Sequence, residues 1–168
     1  SFRPSRRWII DAGIRYDETK FDISGTRTET YDYSKGQYVP ASDMDDIDKT
    51  FNAFSPRLGI LFKFNEYLNF YSNFSKGFQT PTEGELTENP DLDIVTVKNY
   101  EFGLKTDHLN WSMDAAVYYS PVKNEVTQVT QEEGYTEYVN SGKTDKKGFE
   151  FTGSVYITPE LQAGLTYS

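Results

Sequence analysis

The chain has 168 residues and a formal net charge of −9, with no cysteine, one histidine, 13 tyrosines and 12 phenylalanines. That length suits one ordinary domain or part of a larger one. The lack of cysteine excludes disulfide scaffolds, thiolate zinc sites and cysteine nucleophiles, and no apolar run is long enough for a transmembrane helix. The acidic balance repels phosphate and argues against a nucleic-acid partner.

Alternation of apolar and polar residues with a period of two dominates the sequence and predicts β-strands. In the first predicted strand, the apolar face carries Ile10, Ala12, Ile14 and Tyr16, and the opposite face carries Asp11, Gly13, Arg15 and Asp17. The pattern recurs near residues 57–64, 68–75, 99–105, 111–119, 149–157 and 161–167. The sequence therefore predicts an all-β protein with about seven antiparallel strands.

The connections between these strands alternate between tight turns and long loops. Tight turns fall at 65–66, 107–110 and 158–160, and long connections cover about 24–50, 77–95 and the region around 132–134. Because consecutive strands are antiparallel, alternate connections lie at the same end of the sheet. Six acidic and three basic residues fall in 24–50, and five acidic and no basic residues fall in 77–95. The acidity is thus concentrated at the long-loop end.

An apolar face, a polar face, short turns at one end and long loops at the other are typical of an outer-membrane β-barrel. Aromatic residues near strand ends, such as Trp8, Tyr67, Trp111 and Tyr167, fit interfacial girdles. The stretches 111–130 and 135–157 run to about twice a membrane span of roughly 9 to 11 residues, so we expect them to project beyond the membrane, with a bulge or bend at 143–147. The alternative is a soluble β-sandwich binding module, an adhesin or carbohydrate binder, with these aromatic residues packed inside.

Several short motifs, in a fixed order, resemble the β-barrel of TonB-dependent outer-membrane receptors. They are Ser55-Pro56-Arg57-Leu58-Gly59, Tyr71-Ser72-Asn73-Phe74-Ser75-Lys76-Gly77-Phe78, Asn99-Tyr100-Glu101-Phe102-Gly103-Leu104-Lys105 and Lys147-Gly148-Phe149-Glu150. The resemblance covers roughly residues 50–168. It implies that residues 1–168 form part of an antiparallel up-and-down transmembrane β-barrel of the siderophore-receptor type, with the plug domain and TonB box absent.

The resemblance also implies a function. It points to a receptor and transporter, not an enzyme, of the bacterial outer membrane that takes up a ferric siderophore or a similar scarce nutrient by TonB-coupled import. The implied partners are that ligand, the TonB complex through the plug region, and outer-membrane lipid or lipopolysaccharide, and no cofactor is implied. An open sheet in lipid leaves edge hydrogen-bonding groups unpaired, so we expect this chain alone to transport nothing. An outer-membrane enzyme is the less attractive alternative, because the lone histidine, His108, falls in a predicted exposed turn.

Candidate ligand-binding residues come from the predicted loops and the polar face. An aromatic platform for a chelate or a sugar ring is predicted from Tyr31, Tyr33, Tyr38, Phe78 and Tyr135, with ordinary loop packing as the alternative. Arg15 and Arg57 fall on the polar face, which is the lumen of a barrel. There they either form ion pairs, for example with Asp11 and Asp17, or contact the ligand.

Two acidic clusters invite a metal interpretation. The first consists of Asp43, Asp45, Asp46 and Asp48, whose carboxylates suit Ca²⁺, although Ile47 stands where an EF-hand ligand belongs and a solvated loop explains the cluster more simply. The second consists of Glu83, Glu85, Glu88, Asp91 and Asp93. These residues either recognise a cationic ligand, bind divalent ions that bridge lipopolysaccharide phosphates, or keep the loop soluble. They would hinder the approach of a strongly anionic chelate.

Overall fold

The computed structural model describes residues 1–32, 35–43, 46–130 and 136–168. In these ranges it contains fourteen strands and one short helix. Their bounds are β1 Phe2–Ser5, β2 Trp8–Ile23, β3 Thr26–Arg27, β4 Thr30–Asp32, β5 Gln37–Val39, β6 Ser42–Asp43, β7 Ile47–Lys63, β8 Leu68–Gln79, α1 Glu83–Glu88, β9 Val95–Asp107, β10 Trp111–Lys123, β11 Val126–Thr130, β12 Thr136–Asn140, β13 Lys143–Thr158 and β14 Leu161–Tyr167.

One sheet of eight strands, in the order β1-β2-β7-β8-β9-β10-β13-β14, forms the body of the structure. Every neighbouring pair is antiparallel, so the predicted all-β, up-and-down architecture is confirmed. The described sheet is open and does not close on itself. Seven of its strands are the predicted ones. The eighth, β1, is too short and too polar to show alternation, and it is recognised only from its pairing with β2.

The register of the sheet decides which side chains share a face. β2 pairs with β7 without a shift from Trp8 opposite Phe62 to Ile23 opposite Ile47. Because side chains alternate along a strand, a fixed register keeps Ile10, Ile14 and their cross-strand partners on one side over the whole pair. We call this side the apolar face and the opposite side, which carries Asp11 and Arg57, the polar face.

The apolar face is bounded by aromatic residues at two levels. At the tight-turn end, the rings of Trp8 and Phe62 lie 4.6 Å apart, and Trp111 begins β10 at the same end. At the other level, the Tyr16 hydroxyl donates to Asn52 Oδ1 at 2.6 Å. From Trp8 to Tyr16 the strand covers nine residues, which matches the roughly 9 to 11 tilted residues that cross a bilayer.

Above this band the polarity of the two faces is reversed. Beyond Tyr16, the side of β2 that continues the apolar face carries Lys20 and Asp48 of β7, which form an ion pair at 3.6 Å. The side that continues the polar face instead carries Phe21 and Phe51, whose rings meet edge to face at 5.9 Å. The strands therefore have an apolar exterior in the lower half and an apolar interior in the upper half.

The long connections are largely extensions of the same hairpins. The β11–β12 pair continues the register of β10 and β13, with Val126 opposite Asn140, and the ribbon bends where Asn124 adopts a left-handed φ of 56°. The predicted projection of 111–130 beyond the band is thus confirmed. The bend predicted at 143–147 is wrong, because Lys143 to Lys147 pair with β10 in unbroken register.

No helix in the described ranges is both long and apolar enough to cross a membrane. The single helix, α1, spans six residues. It begins with a capping box, in which the Thr82 hydroxyl accepts from the Glu85 amide at 3.3 Å and the Glu85 carboxylate accepts from the Thr82 amide at 2.7 Å. These two bonds satisfy amide groups that a short helix leaves free at its start.

On the polar face, tyrosines of two strands lie flat over glycines of the next strand. Tyr71 covers Gly103, and Tyr118 covers Gly148. A side chain at either glycine would occupy the space of the ring, since a Cβ built on Gly103 falls 2.6 Å from the Tyr71 hydroxyl. These glycines let the aromatic rings pack against the sheet.

We expect Gly103→Ala to destabilise the sheet by about 1–3 kcal/mol, because the new methyl group overlaps Tyr71. Displacement of Tyr71 also breaks its hydrogen bond to Asp114, which is 3.0 Å long. Denaturant unfolding of the intact protein measures the change. Gly77→Ala is the control, because no atom lies within 4 Å of a Cβ at Gly77. Equal midpoints for the two variants would contradict this packing.

Candidate functional site

The connection from β8 to β9, residues 80–94, folds inward over the polar-face side of the upper sheet. Its two leucines, Leu86 and Leu92, are fully buried and form a small core with Phe51 of β7. This core explains the polarity reversal in the upper half of the strands. The apolar interior of the upper sheet is the surface on which the loop docks.

Polar contacts hold the same loop from two directions. The Lys49 ammonium donates to the Leu92 carbonyl at 2.7 Å and to the Pro90 carbonyl. On the other side, Asn89 Nδ2 donates to the Tyr138 carbonyl at 2.7 Å, and Asn140 Oδ1 accepts from the Asp93 amide at 2.8 Å. The loop is thus fixed to β7 and to the β11–β12 hairpin.

The lower polar face carries a connected set of charged and hydrogen-bonding groups. The Asp114 carboxylate accepts from the Tyr71 hydroxyl at 3.0 Å and lies 2.9 Å from the Lys105 ammonium. Asn73 donates to Glu101 at 3.1 Å. A cavity of about 390 Å³ is lined by residues of this set together with Ile9, Asp11 and Leu61. Such a polar surface suits contact with water, a hydrophilic ligand or another protein segment.

Arg15 and Arg57 lie on the polar face, as predicted, and both form ion pairs. The Arg15 guanidinium is 2.5 Å from Asp17, and the Arg57 guanidinium is 3.9 Å from Asp11 and lies across Gly13. The ion-pair interpretation is therefore confirmed. Both arginine side chains remain more than 70% exposed, so each keeps N–H donors directed to the interior. Asp17 Oδ2 is buried without a hydrogen-bond partner among the described residues.

The predicted aromatic platform is partly assembled. Tyr31 of β4 and Tyr38 of β5 face each other across a hairpin, with ring centroids 4.9 Å apart in an edge-to-face arrangement. Tyr33 and Tyr135 lie outside the described residues. The prediction that Phe78 lies in a loop is wrong, because β8 extends to Gln79 through pairing with β9. The register places Phe78 on the side that continues the apolar face.

The described residues contain no group of three or more histidine, cysteine, aspartate or glutamate side chains able to hold a metal ion. Of the first acidic cluster, Asp43 accepts from Thr26 Oγ1 at 3.3 Å, Asp48 pairs with Lys20, and Asp45 lies outside the described ranges. Within the second cluster, Glu85 caps α1. Asp43, Asp48 and Glu85 thus have local structural partners.

His108 lies in the tight turn after β9, as predicted, but it is not simply exposed. Its ring stacks between Tyr67, at 4.3 Å, and Trp111, at 4.6 Å. The stack joins two neighbouring turns at the tight-turn end. The prediction missed it because Tyr67 and His108 are far apart in the sequence and meet only through the β8–β9 register.

Comparison with a known family shows which face of the sheet meets lipid and which meets the lumen. The sequence model described as TonB dependent receptor-like, beta-barrel matches residues 1–168. The chain belongs to the TonB-dependent receptor family. Members of this family are outer-membrane β-barrel proteins of Gram-negative bacteria that act as transporters and not as enzymes. The apolar face of this receptor chain is accordingly the lipid-facing side, the polar face is the lumen, and the long-loop end is extracellular.

Individual relatives agree with the family assignment and with the fold. The chain is 26% identical over 160 residues to the metal-pseudopaline receptor CntO of Pseudomonas aeruginosa, covering 94% of this chain and 21% of that protein. The copper transporter OprC superposes with a TM-score of 0.78 at 14% identity, covering 97% of this chain and 26% of that one. The ferric-catecholate import receptor Fiu of E. coli K12 superposes with a TM-score of 0.64 at 20% identity, covering 98% and 26%. The chain thus spans about a fifth of the curated relative, and the two structural likenesses show the fold.

The soluble β-sandwich alternative is excluded by the same observations. It requires a second layer over the apolar face, and the side chains there are open, with Phe102 55%, Ile14 77% and Val117 52% exposed. In the barrel of a TonB-dependent receptor, these side chains face lipid. The lone tight-turn histidine has a structural role in the receptor, as the stacked ring between Tyr67 and Trp111.

We expect Leu86→Ala to release the inward-folded loop of the receptor, because it removes a fully buried side chain from a three-residue core at a cost of about 2–5 kcal/mol. Hydrogen exchange at the amides of Leu86 and Asn89, which donate within α1 to Thr82 and Glu85, should accelerate by at least about tenfold. Leu109→Ala is the control, since Leu109 is 96% exposed in a tight turn. Unchanged exchange in the Leu86 variant would show that the loop is held without this core.

Proposed function

We propose that this chain forms part of the wall and the extracellular mouth of a TonB-dependent receptor that imports a metal chelate, most specifically a ferric siderophore. The observation that carries the proposal is the inward-docked loop, which the buried Leu86 and Leu92 hold against Phe51 and which in a closed barrel would narrow the upper lumen. A mouth narrowed by ordered loops suits the capture of a small chelate. The matched relatives named for metal-pseudopaline, copper and ferric catecholate support this ligand class.

The negative charge of the mouth restricts the charge that the proposed ligand can carry. Glu83, Glu88 and Asp91 are exposed on the docked loop, and no basic residue occurs between 77 and 95. A surface with one sign of charge repels ligands of that sign and lowers their association rate. The chelate is therefore one without strong negative charge, such as a neutral or cationic metal complex.

The proposed ligand contacts lie at two heights. At the mouth, Tyr31 and Tyr38 offer ring faces and edges to a flat chelate, and the proposed contact set also includes Tyr33 and Tyr135, which lie outside the described residues. Deeper, Arg15 and Arg57 occupy neighbouring positions on the paired strands β2 and β7 and keep exposed guanidinium groups. Guanidinium groups bind carboxylate oxygens through paired donors, so a ligand that passes the acidic mouth meets these groups next.

The remaining parts of such a transporter belong to the proposal as well. We infer that the open edges β1 and β14 pair with further strands, because unpaired backbone groups in lipid cost several kcal/mol each. We also place the plug domain and its TonB contact outside these residues. Under this proposal residues 1–168 in isolation transport nothing, and liposomes containing only this chain should show no selective flux.

Uptake measurements on the receptor that contains this chain test the ligand class. A Gram-negative strain dependent on that receptor is supplied with ⁵⁵Fe or other metals as neutral, cationic and strongly anionic chelates. We expect saturable, TonB-dependent accumulation only from chelates without strong negative charge. Preferred uptake of a highly anionic chelate contradicts the electrostatic part of the proposal, and uptake that is independent of TonB contradicts the transport class.

The proposed aromatic contacts predict a binding defect in Tyr31→Ala/Tyr38→Ala. Loss of two aromatic contacts, each worth about 0.5–1.5 kcal/mol, should raise the chelate concentration for half-maximal uptake by about tenfold. The control is Tyr156→Ala, since Tyr156 is also half exposed but lies near the tight-turn end of β13. If the double variant and the control take up the chelate alike, Tyr31 and Tyr38 do not contact it.

A further inference from the structure

Five lysines from four strands gather on the lipid-facing side, just above the apolar band. They are Lys76 of β8, Lys98 of β9, Lys123 of β10, and Lys143 and Lys147 of β13. Alternation along each strand and the shared register place all five on the side that carries Phe74 and Tyr100. We call this group the lysine patch. It faces away from the lumen and so takes no part in the proposed ligand path.

Two pairs in the lysine patch oppose like charges directly across neighbouring strands. Lys76 is the register partner of Lys98, and Lys123 is the register partner of Lys143. Like charges at directly opposed positions destabilise a sheet. Folding thus brings four ammonium groups together against their mutual repulsion. An anion that binds between them offsets this repulsion.

The protein supplies one countercharge to the patch among the residues that the structure describes. Asp145 lies 3.2 Å from the Lys143 ammonium and accepts from the Tyr119 hydroxyl at 3.1 Å. The hydrogen bond from Lys143 lowers the pKa of Asp145, and that bond raises the pKa of Lys143, so both groups stay charged at neutral pH. Within the described ranges, no ion pair involves Lys76, Lys98, Lys123 or Lys147.

The patch borders a groove with a volume of about 370 Å³, within the roughly 300–1,000 Å³ of pockets that hold small organic groups. Its lining combines three lysine side chains with aromatic and proline surfaces, from Lys98, Lys123, Lys143, Tyr100, Tyr119 and Pro121. Such a lining fits a molecule that carries phosphate groups next to a sugar or an acyl chain. A simple hydrated anion needs no apolar wall.

The height of the patch identifies the source of that molecule. Directly below it, the rings of Phe74, Tyr100 and Tyr119 form a row with centroid spacings of 5.1 and 6.3 Å. Aromatic rows of this kind mark the boundary between the acyl chains and the headgroups. Lys76 and Lys98 lie one residue pair beyond this row and Lys123 and Lys143 two pairs beyond it, whereas Lys147 lies in the row itself, opposite Tyr119. This is the depth of lipid headgroups, where each basic residue near an anionic membrane surface adds about fivefold to binding.

We propose that the lysine patch is a binding site for the phosphate groups of lipopolysaccharide in the outer leaflet. The phosphorylated glucosamine headgroup lies between the ammonium groups, and its acyl chains lie along Phe74, Tyr100 and Phe102 below. This site differs from the ion-bridged contact considered for the acidic loop, because the lysines bind phosphate directly and need no divalent cation. It also predicts that the patch, and not the mouth, selects the lipids around this part of the barrel.

Binding of bisphosphorylated lipid A to the purified, delipidated receptor in detergent tests the site. Native mass spectrometry compares wild type with Lys76→Gln/Lys98→Gln/Lys123→Gln, and at about fivefold per lysine the variant should bind at least tenfold more weakly. Lys76→Arg/Lys98→Arg/Lys123→Arg should keep most of the affinity, because it preserves the charge. The control, Arg6→Gln/Arg7→Gln/Lys63→Gln, removes three positive charges at the tight-turn end of the sheet and should bind as wild type does.

A second arm uses the wild-type receptor alone, so it holds even where a variant fails to fold. Lipid A with both phosphates removed should bind at least tenfold more weakly than the bisphosphorylated form. Equal binding of the two lipids overturns the proposal, as does a glutamine variant that is folded and binds like wild type. Displacement of lipid A by millimolar inorganic phosphate overturns the lipid as occupant and indicates a site for free anions. Binding in excess EDTA should persist, and its loss shows that divalent ions carry the contact.

Discussion

The unshifted antiparallel register of the six strands from β2 to β13 in the sheet is the constraint on which the rest of the structure depends. In a strand, a slip of one residue moves every side chain to the other face. Here that slip would turn Asp11 and Arg57 toward lipid and Ile10 and Ile60 toward the lumen. Burial of charge in an apolar medium is far costlier than any turn or loop interaction. The requirement to keep charge out of lipid therefore selects a single pairing for β2 and β7 along their whole length.

That register serves two different environments on the same strands. In the lower half, apolar side chains meet lipid and polar ones meet the lumen, whereas in the upper half Phe21 and Phe51 turn apolar surface inward. This reversal of polarity between the two faces needs no break in the strand pairing. Beyond about Tyr16, apolar residues simply occupy the alternate positions that polar residues occupy below it. The inner apolar surface then receives Leu86 and Leu92. In this chain, the surface that receives the loop is built by the residues that follow the membrane band.

Period-two alternation was sufficient to predict seven strands of the main sheet, their two faces and the long-loop end, because these depend on neighbours along one strand or on the adjacent hairpin. Other features depend on contacts between distant segments. The docking of Leu86 on Phe51 requires the loop to fold back across the sheet, and the strand position of Phe78 is fixed by β9. The signal for the docking in the sequence of residues 80–94 is the presence of Leu86, Leu92 and Ile94 in an otherwise largely acidic and polar loop.

The lysine patch shows most clearly what strand patterns miss. Each of Lys76, Lys98, Lys123 and Lys143 is unremarkable within its own strand, and their juxtaposition exists only once four strands are aligned. The strands that carry Lys123 and Lys143 continue into the β11–β12 hairpin, whose Tyr138 carbonyl and Asn140 side chain hold residues 80–94. A lipid bound at the patch would fix the height of this ribbon at the membrane surface. Because the β11–β12 hairpin also contacts residues 80–94, a lipid bound at the patch would affect the position of this loop as well.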